Sequence, residues 1–259
     1  MATSVTTRRH GALGWITLDG PGTINAIGTT TYTGITDAIT GFERDRDVRA
    51  VVIHGAGRGF SAGADIAEIS TFSDRSDFAR FIHGFTDALD VIERSPLPVV
   101  AAVHGVALGG GLELAMACDL RVAAADAKLG LPEAKLGVLP GAGGTQRLPR
   151  LIPAGIAREM LMLGTSVTGE RGHALGLVNR TCPAADVLAV AAGLAEEAAA
   201  GAHRVPSATK ELLRRTSTMS VKDGIAHERE VASDLFASPD GREGFRAFVA
   251  RRAPEFESR

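Results

Sequence analysis

Two kinds of apolar pattern alternate along the first three quarters of the chain. The first is the short unbroken run. AVVIH at Ala50–His54 and VVAAV at Val99–Val103 carry no polar alternation, so they predict strands buried on both faces. Ser4–Arg8, Leu13–Leu18 and Leu120–Ala123 predict three further strands. DGPG at Asp19–Gly22 supplies the Pro-Gly chemistry of a turn after the second of these. The second pattern is helical. Phe78, Phe81, Ile82, Phe85, Leu89 and Ile92 recur at three- and four-residue spacing and predict a helix over Asp77–Arg94, stopped by Pro96 and Pro98. A helix is also predicted over Thr31–Glu43, and another where Gly109–Gly111 leads directly into LELAMAC. The tetrapeptide AKLG, at 127–130 and 134–137, reads as a recurring strand-and-turn unit rather than a repeat array.

Beyond Ala154 the pattern is helical and Ala-rich. Helices are predicted at Ala154–Leu163, Ala184–Ala200, Ser207–Thr216, Val221–Phe236 and Arg242–Arg252. Strands and helices therefore mix up to about residue 190, and only helices follow. No linker or low-complexity tract intervenes. The pattern predicts an α/β core with a helical C-terminal extension.

Composition narrows the function more than the fold. A formal charge of −2 supplies no basic field for nucleic acid. No run of about 18 apolar residues is present, so no membrane span is expected. The N-terminal MATSVTTRRHGALG lacks an apolar signal core. Two separated cysteines, Cys118 and Cys182, suit a reducing cytosol, and a cytoplasmic location is expected. Cys118 sits in an apolar run and reads as core. The 31 glycines exceed the usual share of about 7% and point to tight turns or close backbone approaches.

Several motifs bear on chemistry. GFSAG at Gly59–Gly63 matches G-x-S-x-G, the serine nucleophile elbow. An elbow needs a strand ending at the serine, whereas GAGR separates AVVIH from this loop. No Walker-type G-K-[ST] and no metal spacing of histidines occurs, so no metal is expected. His104, just after a buried run, reads as a core histidine. The triple glycine differs. It opens a helix whose first N–H groups lack intrahelical partners, with the helix dipole behind them. A ligand oxygen can approach the Gly110 N–H closely, and a second donor from Ser61–Asp65 would complete an oxyanion hole. Glu113 and Glu133 lie in the first turns of their segments. Singly, each reads as a favourable charge at a helix start; beside two Gly-rich loops the balance shifts toward a chemical role.

These segments resemble the enoyl-CoA hydratase/isomerase (crotonase) family. The resemblance is carried by GFSAGADI at 59–66, AAVHGVALGGGLELAMACDL at 101–120, GLPEAKLGVLPGAGGTQRLPRLI at 130–152 and EGFRAFVARRAPEF at 243–256. It implies an α/β crotonase-like spiral of ββα units. That core would span 1–195, with 196–259 a helical oligomerisation region of a homotrimer or homohexamer. It makes GFSAGAD an acyl-CoA loop and Ser61 no nucleophile. It implies oxyanion donors at Ala64 and Gly110, catalytic carboxylates at Glu113 and Glu133, and substrate contacts at Ser61, Ala62, Gly63, Asp65, Ile66 and Gly109. The implied reaction is reversible hydration of a 2-enoyl-CoA in fatty-acid β-oxidation, with no cofactor, coenzyme A being part of the substrate. Another crotonase reaction, or acyl-CoA binding without turnover, is the alternative. DGPGTINAIG carries Gly20 and Thr23 where the family usually has basic residues. Arg58, Arg251 and Arg252 are the substitutes for phosphate contact, each equally readable as a surface cation. Phe72, Phe78 and Phe81 either line an acyl pocket or pack a helix.

Overall fold

The computed structural model describes residues 2–256. The chain opens with β1 (Ser4–His10) and β2 (Leu13–Asp19), an antiparallel hairpin. α1 (Thr29–Arg44) and β3 (Ala50–Gly55) follow, then a one-turn helix α2 (Ile66–Ile69) and the long α3 (Arg75–Arg94). The next stretch alternates between two sheets: β4 (Val99–Val103), β5 (Val106–Leu108), α4 (Gly110–Ala117), β6 (Leu120–Ala124) and β7 (Lys128–Gly130). A 3-10 turn at Pro132–Leu136 leads to α5 (Gly144–Leu151) and α6 (Ala154–Leu163). β8 (Ser166–Thr168), α7 (Gly169–Leu175), β9 (Arg180–Cys182) and α8 (Val187–Ala199) close the core. α9 (Arg204–Arg215), α10 (Val221–Ala237) and α11 (Pro239–Ala250) complete the chain.

The main sheet has the order β1-β2-β3-β4-β6-β9, parallel from β2 onward. The small sheet is β5-β7-β8. In the middle of the chain one strand enters the large sheet, a short one the small sheet, and helix follows. β4-β5-α4 and β6-β7 followed by α5 are two such ββα turns. Ala50–Ile53 of β3 and all of β4 are apolar because α8 packs on the main sheet against them and α3 lines the core from another side. Parallel strands covered on both faces have no solvated side to alternate with.

Most predicted elements recur with ends moved by a few residues, for local reasons. α3 begins at Arg75 because Asp74 caps it, its carboxylate accepting from the Ser76 and Asp77 N–H groups at 2.7 and 3.1 Å. α11 begins at Pro239, not Arg242, because Ser238 caps it (Gly241 N–H, 3.1 Å) and proline suits the first helical position. The segment at Ala184 splits into a 3-10 turn, Ala184–Asp186, and α8. Among the described residues no helix is long and apolar enough to cross a membrane. His104 is a correction: it is only partly buried, its ring Nε2 3.0 Å from the Gly57 carbonyl. Cys118 is core, its thiol pushed up to about 12 by burial.

Candidate active site

The fold brings three loops together at one end of the parallel strands. The first, residues 59–65, is threaded between β5 and the segment 24–27. The Ser61 N–H donates to the Val106 carbonyl and the Leu108 N–H to the Ser61 carbonyl, both at 3.0 Å. On its other side Ile27 bridges Ala64 in a parallel manner. The Ile27 N–H donates to the Gly63 carbonyl (2.7 Å) and the Asp65 N–H to the Ile27 carbonyl (2.9 Å). In such a bridge the central residue's own N–H points the other way. Ala64 therefore turns its N–H from Ile27 toward α4. A Cβ built on Gly110 would lie 3.4 Å from the Ala64 nitrogen, and one on Gly63 would lie 3.6 Å from the Gly110 nitrogen. Neither N–H donates to any group among the described residues. Two adjacent backbone donors thus converge on one spot.

Glycine is required around them. Gly63 has φ +112°, and a Cβ there would sit 2.8 Å from the Leu108 carbonyl oxygen. Gly109 has φ +52°, and its Cβ would meet Glu133 Oε1 at 2.8 Å. An ordinary side chain at Gly109 would displace that carboxylate.

Glu113 rises from the first turn of α4, 3% exposed. Its Oε1 accepts from the Ala142 and Gly144 N–H groups, each at 2.8 Å. Burial, opposed by the Gly144 amide and reinforced by the negative charge of Glu133, pushes its pKa up to about 7. Glu133, at the start of the 3-10 turn, is half-buried, and desolvation raises its pKa as well. Its Oε2 is buried without a hydrogen-bond partner among the described residues. The solvated first-turn role open to both in the sequence is thereby excluded. A carboxyl that titrates near neutrality takes and returns protons at little cost, and strongly perturbed carboxyls mark functional sites.

The other expected contacts divide. Gly63 and Gly109 line the donor pair. Ile66 is exposed, and Ala62 is exposed beside it. Asp65 caps α2, accepting from the Ala67 and Glu68 N–H groups at 3.0 and 3.2 Å. Ser61 is a correction: it is fully buried. Its hydroxyl donates to the Asn25 carbonyl (2.8 Å) and accepts from the Gly63 N–H (3.2 Å). It touches protein on every side, so it is neither a substrate contact through its side chain nor a nucleophile. Phe81 and Phe72 pack together beside Tyr32, whereas Phe78 lines an apolar groove. That groove, of about 650 Å³, runs between α3 (Phe78, Ala79, Ile82) and Val138, Leu139 and Gly141. It ends one residue from the Ala142 amide that holds Glu113. Arg252 is paired with Glu243 at 2.5 Å, and Arg251 is the left-handed cap of α11.

Sequence reasoning missed the residues that hold the loop 140–144. Arg147 Nη1 donates to the Ala142 carbonyl and Nε to Glu93 Oε1, both at 2.6 Å. Their only signal was the GAGGTQR run itself, which names no role for the arginine.

Comparison with known proteins gives a consistent picture. The family model described as "Enoyl-CoA hydratase/isomerase" matches residues 8–259. A probable enoyl-CoA hydratase of Bacillus subtilis is 39% identical over 234 residues, 90% of this chain and 91% of that protein. One from Mycobacterium bovis is 37% identical over 258 residues, 99% and 98% respectively. The crystal structure of an enoyl-CoA hydratase from Polaromonas sp. JS666 superposes with a TM-score of 0.95 at 32% identity, covering 98% of this chain and 99% of that one.

Proposed function

The chain belongs to the enoyl-CoA hydratase/isomerase family, and we propose that within it the protein adds water reversibly to a 2-enoyl-CoA, giving a 3-hydroxyacyl-CoA. One observation carries the reading: two partnerless backbone N–H groups, Ala64 and Gly110, stand beside two desolvated carboxyls, Glu113 and Glu133.

The thioester carbonyl oxygen accepts from both amides. Water, held between the carboxyls, attacks C3 while Glu113 takes its proton. The electron pair of the double bond moves to the carbonyl oxygen, and the enolate is stabilised by the two donors. Removing one donor from such a site costs about 2.7–4 kcal/mol. Glu133 then gives a proton to C2, and dehydration runs the same steps backward. The apolar groove beside Gly141 takes the acyl chain. Acid–base help of this kind contributes ~10²–10⁴-fold. Hydration of this type serves fatty-acid β-oxidation. The exposed Phe245, Phe248 and Val249 of α11 support assembly into a trimer or hexamer, which light scattering of the purified protein checks.

The test is incubation with a 2-enoyl-CoA in H₂¹⁸O. Label in a 3-hydroxyl group supports hydration. A shifted double bond with no oxygen gained would identify an isomerase instead, and unchanged substrate a binding protein.

A further inference from the structure

The segment that clamps the donor loop is strained. Ile24 and Asn25 have φ of +51° and +57°. Asparagine tolerates this left-handed region, but a β-branched isoleucine there is an outlier, and such outliers persist only where the surroundings over-determine them. Here the surroundings are the donor loop itself. The Asn25 side chain is fully buried, and both its ends are used. Oδ1 accepts from the Gly20 N–H at 2.7 Å. Nδ2 donates to the carbonyls of Ala56, Gly59 and Phe60 at 3.0, 2.8 and 3.2 Å. The backbone adds two more links: the Ile24 carbonyl accepts from the Ala62 N–H (2.8 Å) and the Asn25 carbonyl from the Ser61 hydroxyl. Five consecutive residues, 59–63, are thus tied to residues 24–27 by bonds that run through Asn25 or its neighbours. The next residue is Ala64.

We infer that Asn25 is a positioning residue for the reaction, its side chain holding the turn 56–60 so that the Ala64 N–H meets the substrate oxygen jointly with the Gly110 N–H. Side-chain hydrogen bonds gather three carbonyls that would otherwise repel one another. That fixes the path of the loop four to eight residues ahead of the donor. A donor shifted from its aim loses most of its effect on a developing oxyanion while still permitting ground-state binding. This inference rests on the reading of Ala64 and Gly110 as thioester-oxygen donors.

Asn25→Gly tests it, because glycine takes the left-handed conformation without strain and loses only the side-chain bonds. Asn25→Asp keeps the volume and the Gly20 contact, and serves if the glycine variant does not fold. Two readouts are taken: kcat and KM with crotonyl-CoA, and the infrared carbonyl stretch of bound hexanoyl-CoA labelled with ¹³C at C1, which cannot be hydrated. In the parent protein the stretch is expected to move to lower frequency on binding. In the variants we expect that shift to shrink and kcat to fall by about 10- to 100-fold, with hexanoyl-CoA affinity within about threefold. An unchanged stretch and kcat in a folded variant overturns the role of Asn25, as does a loss confined to KM and affinity. No shift in the parent protein overturns the donor reading beneath it, a distinct failure.

Discussion

The two ends of α4 treat their backbone polar groups in opposite ways. The helix is buried along its whole length. At its C-terminal end the carbonyls are satisfied by a buried cation: Arg121, 6% exposed, donates to the Ala115 and Cys118 carbonyls at 3.3 and 2.6 Å, and to Leu177 from across the sheet at 2.8 Å. At its N-terminal end the Gly110 N–H meets no partner among the described residues, and the neighbouring Ala64 N–H is left in the same condition. Buried polar groups are ordinarily hydrogen-bonded. One end follows that rule at the cost of desolvating an arginine. The other departs from it where two desolvated carboxyls also gather. Within α4, then, backbone donors stay unpaired only at the end where the two desolvated carboxyls gather.

The open end should break first in rate. Glu133→Gln is expected to lower kcat by ~10²–10⁴-fold with acyl-CoA affinity retained, measured by steady-state kinetics and calorimetry. Gly110→Val follows. Its Cβ would stand 3.0 Å from Phe85 Cε1 and 3.4 Å from the Ala64 nitrogen, so the side chain covers one donor and shifts the other. A loss of about 10²–10³ in kcat/KM is expected.

Stability separates the two ends next. Glu113 titrates near 7 in the folded protein, against about 4.3 for an unperturbed glutamate. The folded state thus holds the proton more tightly than the unfolded chain. Its presence lowers stability as pH rises from about 4.3 to 7, and the cost is complete above that. Glu113→Gln should therefore melt higher than the parent at pH 8, by about 3 kcal/mol in unfolding free energy, with the difference gone at pH 4. The same titration makes kcat/KM rise through pH ~7 as the base ionises. Arg121→Met acts at the closed end. Three carbonyls lose their donor, partly offset by removal of a buried charge. Urea unfolding should show a loss of about 2 kcal/mol, with kcat of the folded fraction unchanged. Ser61→Ala is the mildest change, a fewfold loss in kcat at most, because the Asn25 side chain still holds the loop.

How much of this was legible in the sequence depends on where the information lies. AVVIH and VVAAV announced β3 and β4 because they are short, rich in β-branched residues and bounded by turn or breaker residues. β5, β8 and β9 are three residues each, too short to carry a period. α5 was hidden by the glycines at its start and by Pro149 within it, and α2 spans only Ile66–Ile69. The site divides the same way. Ala64, Gly110, Glu113 and Glu133 lie in contiguous segments that resemble the family's motifs, and the resemblance singled them out. Asn25 and Arg147 act on backbone groups far along the chain, and a lone asparagine in TINAIG carries no sign of the three carbonyls it gathers. Ser61 shows the converse, a motif match whose residue the fold seals away.

The most direct test of the account is the loss of enoyl-thioester absorbance when purified protein meets crotonyl-CoA, run beside Glu113→Gln and Glu133→Gln. Rapid loss is predicted with the parent protein and near-abolition in both variants, each still folded and still binding acyl-CoA. Turnover undiminished in either variant would remove that carboxyl from the chemistry and contradict the pairing on which the hydration mechanism stands.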